Sequence, residues 1–161
     1  MPIAVGDRLP DATFKIRTPD GLKDVTVKEL TAGKKVVLFA VPGAFTPTCH
    51  AKHVPSFLGK LDEFKAKGVD TVACVAVNDA FVLDAWAKQT GADGKILFLA
   101  DGNATFTKAI GLDFDGSGVG FGTRSKRYSM YVVDGVVKAL NVEDAPGVMD
   151  RSSAETLLAQ I

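Results

Sequence analysis

The chain has 161 residues, 47% of them apolar and 24% charged, a composition that suits one globular domain over residues 1–161 and lies far from the charge-rich signature of disorder. Nineteen Lys and Arg balance nineteen Asp and Glu, and a net charge of zero gives no reason to expect a nucleic acid or an anionic membrane as partner. No export signal precedes Asp7, no apolar run approaches the ~18 residues of a membrane helix, and two cysteines are too few for a disulfide framework, so a soluble protein of the cytoplasm is expected.

Phe14 and Ile16, the turn Pro19-Asp20-Gly21, and then Leu22, Val25 and Val27 read as an N-terminal hairpin. Val36 to Val41 is continuously apolar, as a strand buried on both faces must be. From about Pro47 to Lys67, Val54, Phe57, Leu58, Leu61 and Phe64 recur at helical spacing, with charged residues opposite and Gly68 as the stop. Thr71 to Val77 predicts a second buried strand, followed by a cap at Asn78 or Asp79 and a helix through Phe81, Val82, Ala85 and Trp86 to Gly91. Ile96 to Ala100 is a third strand, and Asn103 caps a short helix ending at Ile110. The glycine-rich stretch from Gly111 to Gly122 reads as a flexible segment. Tyr128 to Val133 and Val136 to Val142 form a hairpin on the type I′ pair Asp134-Gly135, and Ser152-Ser153-Ala154-Glu155 is a capping box for a last helix burying Leu157, Leu158 and Ile161. Strands alternating with helices, closed by a hairpin and a helix, predict an α/β three-layer sandwich about a mixed sheet. In such sheets, sites collect where a strand's carboxyl end feeds a helix, which points to residues 41–49.

That segment is Val41-Pro42-Gly43-Ala44-Phe45-Thr46-Pro47-Thr48-Cys49. Pro42 and Gly43 end the strand, Thr46 is a natural cap, Pro47 suits the first helical position, and Cys49 falls in the first turn, where unpaired N–H groups favour an anion. A helix terminus supplies ~0.3 to 2 kcal/mol, whereas lowering a thiol's pKa from ~8.5 to ~5.5 takes ~4 kcal/mol, so a reactive thiolate here needs a further cation or donor. By residue type alone Cys49 could be a buried structural cysteine; its place at a capped helix start argues for a reactive one. Position 52 is Lys52, so the paired thiols of a disulfide exchanger are absent and a lone attacking thiolate fits better.

Other chemistries compete for these residues. Cys49 and His53, at i and i+4, could ligate a metal, but no third ligand is evident, and no metal is expected. The same pair could serve acyl transfer, but the nucleophile-elbow pattern is missing; the simplest reading packs His53 beside the site. Gly116 to Gly122 lacks the pattern and the strand-to-helix context of a phosphate loop.

Pro42, Thr46 and Cys49 match Pro-x-x-x-Thr-x-x-Cys. Together with Trp86, Leu99-Ala100-Asp101-Gly102 and Gly122-Thr123-Arg124-Ser125, they make the chain resemble the peroxiredoxins over nearly its whole length, in their type II or peroxiredoxin-5-like branch. The resemblance implies a thioredoxin-like fold with an added N-terminal hairpin and a loop insertion before the C-terminal hairpin. It also implies thiol-dependent reduction of hydrogen peroxide and organic hydroperoxides, without a cofactor. By the same resemblance, Cys49 is the peroxidatic nucleophile and passes through a sulfenic acid. Thr46 orients peroxide and thiolate, Pro42 shields the pocket, and Gly43, Phe45 and Phe121 line it. Arg124 matches the guanidinium that supports both charges, a role suited to a group that is always ionised, although it could equally be a surface arginine of the cluster Arg124 to Arg127.

Glutathione with glutaredoxin, ahead of thioredoxin, is the expected reductant, and a homodimer through loops near the site is the expected assembly. Cys74, inside an apolar strand with no cysteine beyond it, should be buried and unreactive, which favours a one-cysteine cycle. The alternative from another class is a non-catalytic peroxide-sensing or adaptor domain switched by oxidation of Cys49.

Overall fold

The computed structural model describes residues 2–161. Its centre is the strand β3 (Lys35–Val41), whose side chains alternate between two buried faces: Val37, Phe39 and Val41 on one, Val36, Leu38 and Ala40 on the other. This double burial is why the segment is apolar without alternation. β3 pairs in parallel with β4 (Thr71–Ala76), which pairs in parallel with β5 (Leu97–Ala100). The hairpin of β1 (Thr13–Thr18) and β2 (Gly21–Thr26) extends that side of the sheet, and the hairpin of β8 (Tyr128–Val133) and β9 (Val136–Val142) extends the other. The result is a seven-stranded mixed sheet in the order β2-β1-β5-β4-β3-β8-β9.

Helices cover both faces, as the α/β pattern predicts. On the face of Phe39 lie α2 (Val54–Leu58), α3 (Leu61–Ala66), α4 (Ala80–Thr90) and α6 (Ala154–Leu158), contributing Phe57, Phe64, Trp86 and Leu157. On the opposite face lie α1 (Val27–Thr31) and α5 (Thr105–Ala109), with Leu30, Phe106 and Ile110 packed against Leu38 and Met130. At the β8–β9 turn, Asp134 and Gly135 both have positive φ, 48° and 81°, as a type I′ turn requires.

Several boundaries depart from the sequence reading for identifiable reasons. Val27 starts α1 rather than extending the hairpin, because the Thr26 hydroxyl accepts the Glu29 N–H and caps a helix there. The short helix α5 is not capped by Asn103: Ala104 occupies the cap position with φ of 58°, and the Asp101 carboxylate accepts from the N–H groups of Phe106 and Thr107 and from the Thr107 hydroxyl. Ser153, not Ser152, caps α6. The glycine-rich stretch contains β6 (Asp113–Asp115), paired with β7 (Thr123–Ser125) in a second, two-stranded sheet.

The helix expected over 47–67 is divided. Residues 47–48 are helical, Cys49–His53 form a π-helical turn, and α2 and α3 are separated at Gly59 and Lys60. Pro55 has no N–H to give to the carbonyl four residues back, and the ladder widens so that Val54 donates to Cys49 five residues back.

Candidate active site

Residues 42–46 leave β3 in a tight path whose polar groups are locally satisfied. The Ala44 N–H donates to Asn78 Oδ1 at 3.0 Å, tying this turn to the end of β4. Thr46 does not cap the following helix with its side chain. Its hydroxyl donates to the Gly43 carbonyl at 2.7 Å, which leaves the oxygen lone pairs free to accept, and its carbonyl accepts the His50 N–H. Cys49 follows, fully buried at the start of the π-helical turn.

The guanidinium on Cys49 belongs to Arg127, not to Arg124. Arg127 Nη2 donates to Cys49 Sγ at 3.0 Å, Nη1 donates to His53 Nδ1 at 2.9 Å, and Nε and Nη2 donate to the Pro146 carbonyl at 3.2 and 2.9 Å. Sheet register explains the placement: Tyr128 lies opposite Ala40 in the antiparallel β3–β8 pair, so the residue before it stands at the level of Val41, where β3 gives way to the site. Arg127 is 2% exposed, and no carboxylate stands among these partners. Its positive charge is therefore free to act on the sulfur.

His53 stands behind Arg127. Its Nε2 donates to the Ser152 carbonyl at 3.0 Å, since a carbonyl can only accept, and this tautomer leaves Nδ1 as the acceptor for Arg127. Burial, and then the charge of Arg127, bring the imidazole's pKa down to about 3, so it is neutral at physiological pH. With both nitrogens engaged, His53 serves neither as a ligand beside Cys49 nor as its base.

Arg124 does different work. Nε donates to the Phe121 carbonyl at 3.1 Å, Nη1 donates to the Pro42 carbonyl at 3.0 Å, and the guanidinium carbon lies 4.9 Å from the centroid of the Phe121 ring. It clamps the 116–122 loop to the Pro42-Gly43 turn. A Cβ at Gly43 would come within 2.3 Å of Arg124 Nη1, so glycine is what lets the clamp close. Pro42, Gly43, Phe121 and Arg124 thus meet on one side.

Phe45 forms a separate group: 49% exposed and with φ of 64°, it lies 6.1 Å from the His50 ring and 6.4 Å from Trp86, whose indole N–H donates to His50 Nδ1 at 3.0 Å. The sequence reading missed Arg127 and the roles of Pro146 and Ser152. The one available signal was a charged residue directly preceding the buried strand at Tyr128.

Residues 4–158 match the Redoxin family model. Peroxiredoxin-2E-2 of Oryza sativa subsp. japonica, a chloroplastic protein, is 56% identical over 161 residues, covering 97% of this chain and 71% of its own. Peroxiredoxin-2B of Arabidopsis thaliana is 46% identical over 158 residues, 98% of this chain and 97% of its own. The chain belongs to the peroxiredoxins.

Among solved structures, reduced Prx3 of Vibrio vulnificus in complex with H2O2 superimposes with a TM-score of 0.92 at 55% identity, covering 98% of each chain. Peroxiredoxin 5 from Alvinella pompejana does so with a TM-score of 0.88 at 35% identity, covering 99% of this chain and 97% of its own. The fold is accordingly thioredoxin-like, in the type II or peroxiredoxin-5-like branch, and the peroxiredoxin is a thiol peroxidase.

Proposed function

We propose that Cys49 is the peroxidatic thiol and that it reduces hydrogen peroxide and organic hydroperoxides through a sulfenic acid. The observation that carries this reading is the 3.0 Å hydrogen bond from Arg127 to Cys49 Sγ, made by a buried guanidinium with no carboxylate among its partners. The thiolate attacks the outer peroxide oxygen; an S–O bond forms, the O–O bond breaks, and sulfur loses two electrons to the departing oxygen, which takes up the proton the Cys49 thiol gave to solvent on ionising and leaves as water or alcohol. Thr46, whose hydroxyl proton is given to Gly43, accepts from the peroxide O–H and orients it. Arg127 supports first the thiolate and then the charge that develops on the departing oxygen. Arg124 bridges the Phe121 and Pro42 carbonyls and so shapes the pocket wall.

An external thiol then attacks the sulfenic acid, forming a mixed disulfide and releasing water, and a second thiol restores Cys49. Glutathione with glutaredoxin is the reductant we favour over thioredoxin, because Cys74 is poorly suited to resolve the sulfenic acid. It is buried on β4 opposite Phe39, and burial pushes its thiol up, well away from a nucleophilic thiolate.

The deciding experiment is peroxide consumption with each reducing system, on the wild type and Cys74→Ser. Full turnover of Cys74→Ser with glutathione and glutaredoxin supports the cycle; a Cys49–Cys74 disulfide in high yield after one equivalent of peroxide, with loss of turnover in Cys74→Ser, would sink it. We further infer a homodimer that covers Phe45 and the tip residue Val119, 71% exposed; a sedimenting species of only 17.0 kDa at micromolar concentration would oppose it. A reducing compartment, the cytoplasm, is the setting we infer; relatives named chloroplastic and mitochondrial make fractionation the direct check.

A further inference from the structure

The segment 143–152, between β9 and α6, supplies the backbone carbonyls that Arg127 and His53 donate to. Pro146 supplies the carbonyl for Arg127 Nε and Nη2, and Ser152 supplies the one for His53 Nε2. The Thr48 hydroxyl, next to Cys49, donates to the Gly147 carbonyl at 3.0 Å. One side chain closes the segment. Glu143 Oε2 accepts from the Arg151 N–H at 2.8 Å, the Ser152 N–H at 2.7 Å and the Ser152 hydroxyl at 2.6 Å.

Glu143 is also fixed at its other end. Its backbone N–H donates to the Arg127 carbonyl at 2.9 Å, because it directly follows β9 where that strand pairs with the start of β8. The residue is 5% exposed, yet its carboxylate is spent on backbone donors and a hydroxyl rather than on a cation. With no cation bonded to it, this buried carboxylate is placed to act through the groups it holds. It holds residues 151 and 152 so that the Ser152 carbonyl faces His53, and it does so from the residue bonded to the backbone of Arg127.

We propose that Glu143 is a positioning residue for the peroxidase reaction: through Ser152 it fixes the His53 tautomer, His53 Nδ1 then fixes Arg127, and Arg127 Nη2 is thereby aimed at Cys49. The inference rests on Cys49 being the peroxidatic thiol. Glu143→Gln keeps the volume and one acceptor oxygen but removes the charge that gathers three donors. It should lower kcat/KM for peroxide by about tenfold, the change that goes with one weakened charge-assisted hydrogen bond. It should also move the pH midpoint of Cys49 alkylation by iodoacetamide upward.

The comparison variant is Ser153→Ala, which loses the α6 cap next door without touching this chain of contacts. It should lower the melting temperature while leaving kcat/KM and the alkylation midpoint where they are. Ser152→Ala keeps the carbonyl on His53 but removes the hydroxyl held by Glu143, and it should shift the midpoint in the same direction by less. A Glu143→Gln protein whose kcat/KM and midpoint stay within twofold and within experimental error of wild type overturns the proposal, leaving Glu143 a stability residue. If Glu143→Gln does not fold, an unmoved midpoint in Ser152→Ala overturns it instead. Retained turnover in Cys49→Ser, by contrast, would remove the underlying assignment whatever Glu143 does.

Discussion

Two arginines three residues apart divide the work of this site, and their separate contacts make separate predictions. Arg127→Lys keeps a charge but not the planar fork that reaches Cys49, His53 and Pro146 at once. Loss of the aimed donor should lower kcat/KM for peroxide by roughly 100-fold, the equivalent of ~2.7 kcal/mol of transition-state stabilisation. Arg124→Lys should cost less, about tenfold or below, since Arg124 bonds the Phe121 and Pro42 carbonyls and not the sulfur. Stopped-flow peroxide consumption ranks the two, and a larger loss for Arg124→Lys would reverse the assignment made from geometry. The nucleophile we propose, Cys49, already stood out in the sequence through its spacing from Pro42 and Thr46. The arginine did not, because both Arg124 and Arg127 lie in one basic cluster and only the register of β8 against β3 decides which one reaches the site. Register is a long-range property that no local pattern encodes.

At the level of elements, the turn between β3 and the π-helical turn is coupled to the distant 116–122 loop through a single clamp. Adding a methyl at Gly43 would collide with Arg124 Nη1 at 2.3 Å, so Gly43→Ala should displace Arg124 and release Phe121. The expected loss of peroxidase activity should vanish in an Arg124→Ala background, where the obstructing nitrogen is gone. A double-mutant cycle measures this directly, and additive losses would show that Gly43 matters for some other reason.

The same level shows where local sequence signals hold. The Asp134-Gly135 turn and the Asp79 cap of α4 form as their residue types dictate, because each acts within three residues of itself. The α5 cap does not: Asp101 reaches forward to Phe106 and Thr107, past the nearer candidate Asn103. Asp101→Ala, which leaves buried donors unpaired, should therefore destabilise the protein by about 1–3 kcal/mol, with Asn103→Ala near neutral. Urea unfolding of the two variants compares them, and equal losses would restore Asn103 as the cap.

Over the whole molecule, the buried imidazole links the site to folding stability. His53 sits against the Phe39 and Phe57 rings at 5.0 and 5.5 Å between centroids, in the core layer shared by the sheet and α2. Its pKa of about 3 in the folded protein compares with an ordinary 6.5 when the chain unfolds. Between these values the unfolded chain holds a proton that the native state does not, so stability rises with pH across the window and is lost as pH falls below about 6.5. The slope for one such group approaches about 1.4 kcal/mol per pH unit, or roughly 2 kcal/mol between pH 6.5 and 5. Glu143, with its carboxyl held below the usual value of 4.5 by Ser152 and its neighbouring N–H groups against the opposing cost of burial, adds a loss in the same direction, but only once pH falls below that value. The range from 6.5 to 5 therefore separates the His53 contribution from that of Glu143. His53→Gln, neutral at every pH, should be less stable than wild type at pH 7.5 yet flatter between pH 6.5 and 5 when urea midpoints are plotted against pH. An equally steep slope in the variant would assign the acid sensitivity to other groups, and would mean that protonation of His53 does not limit the fold.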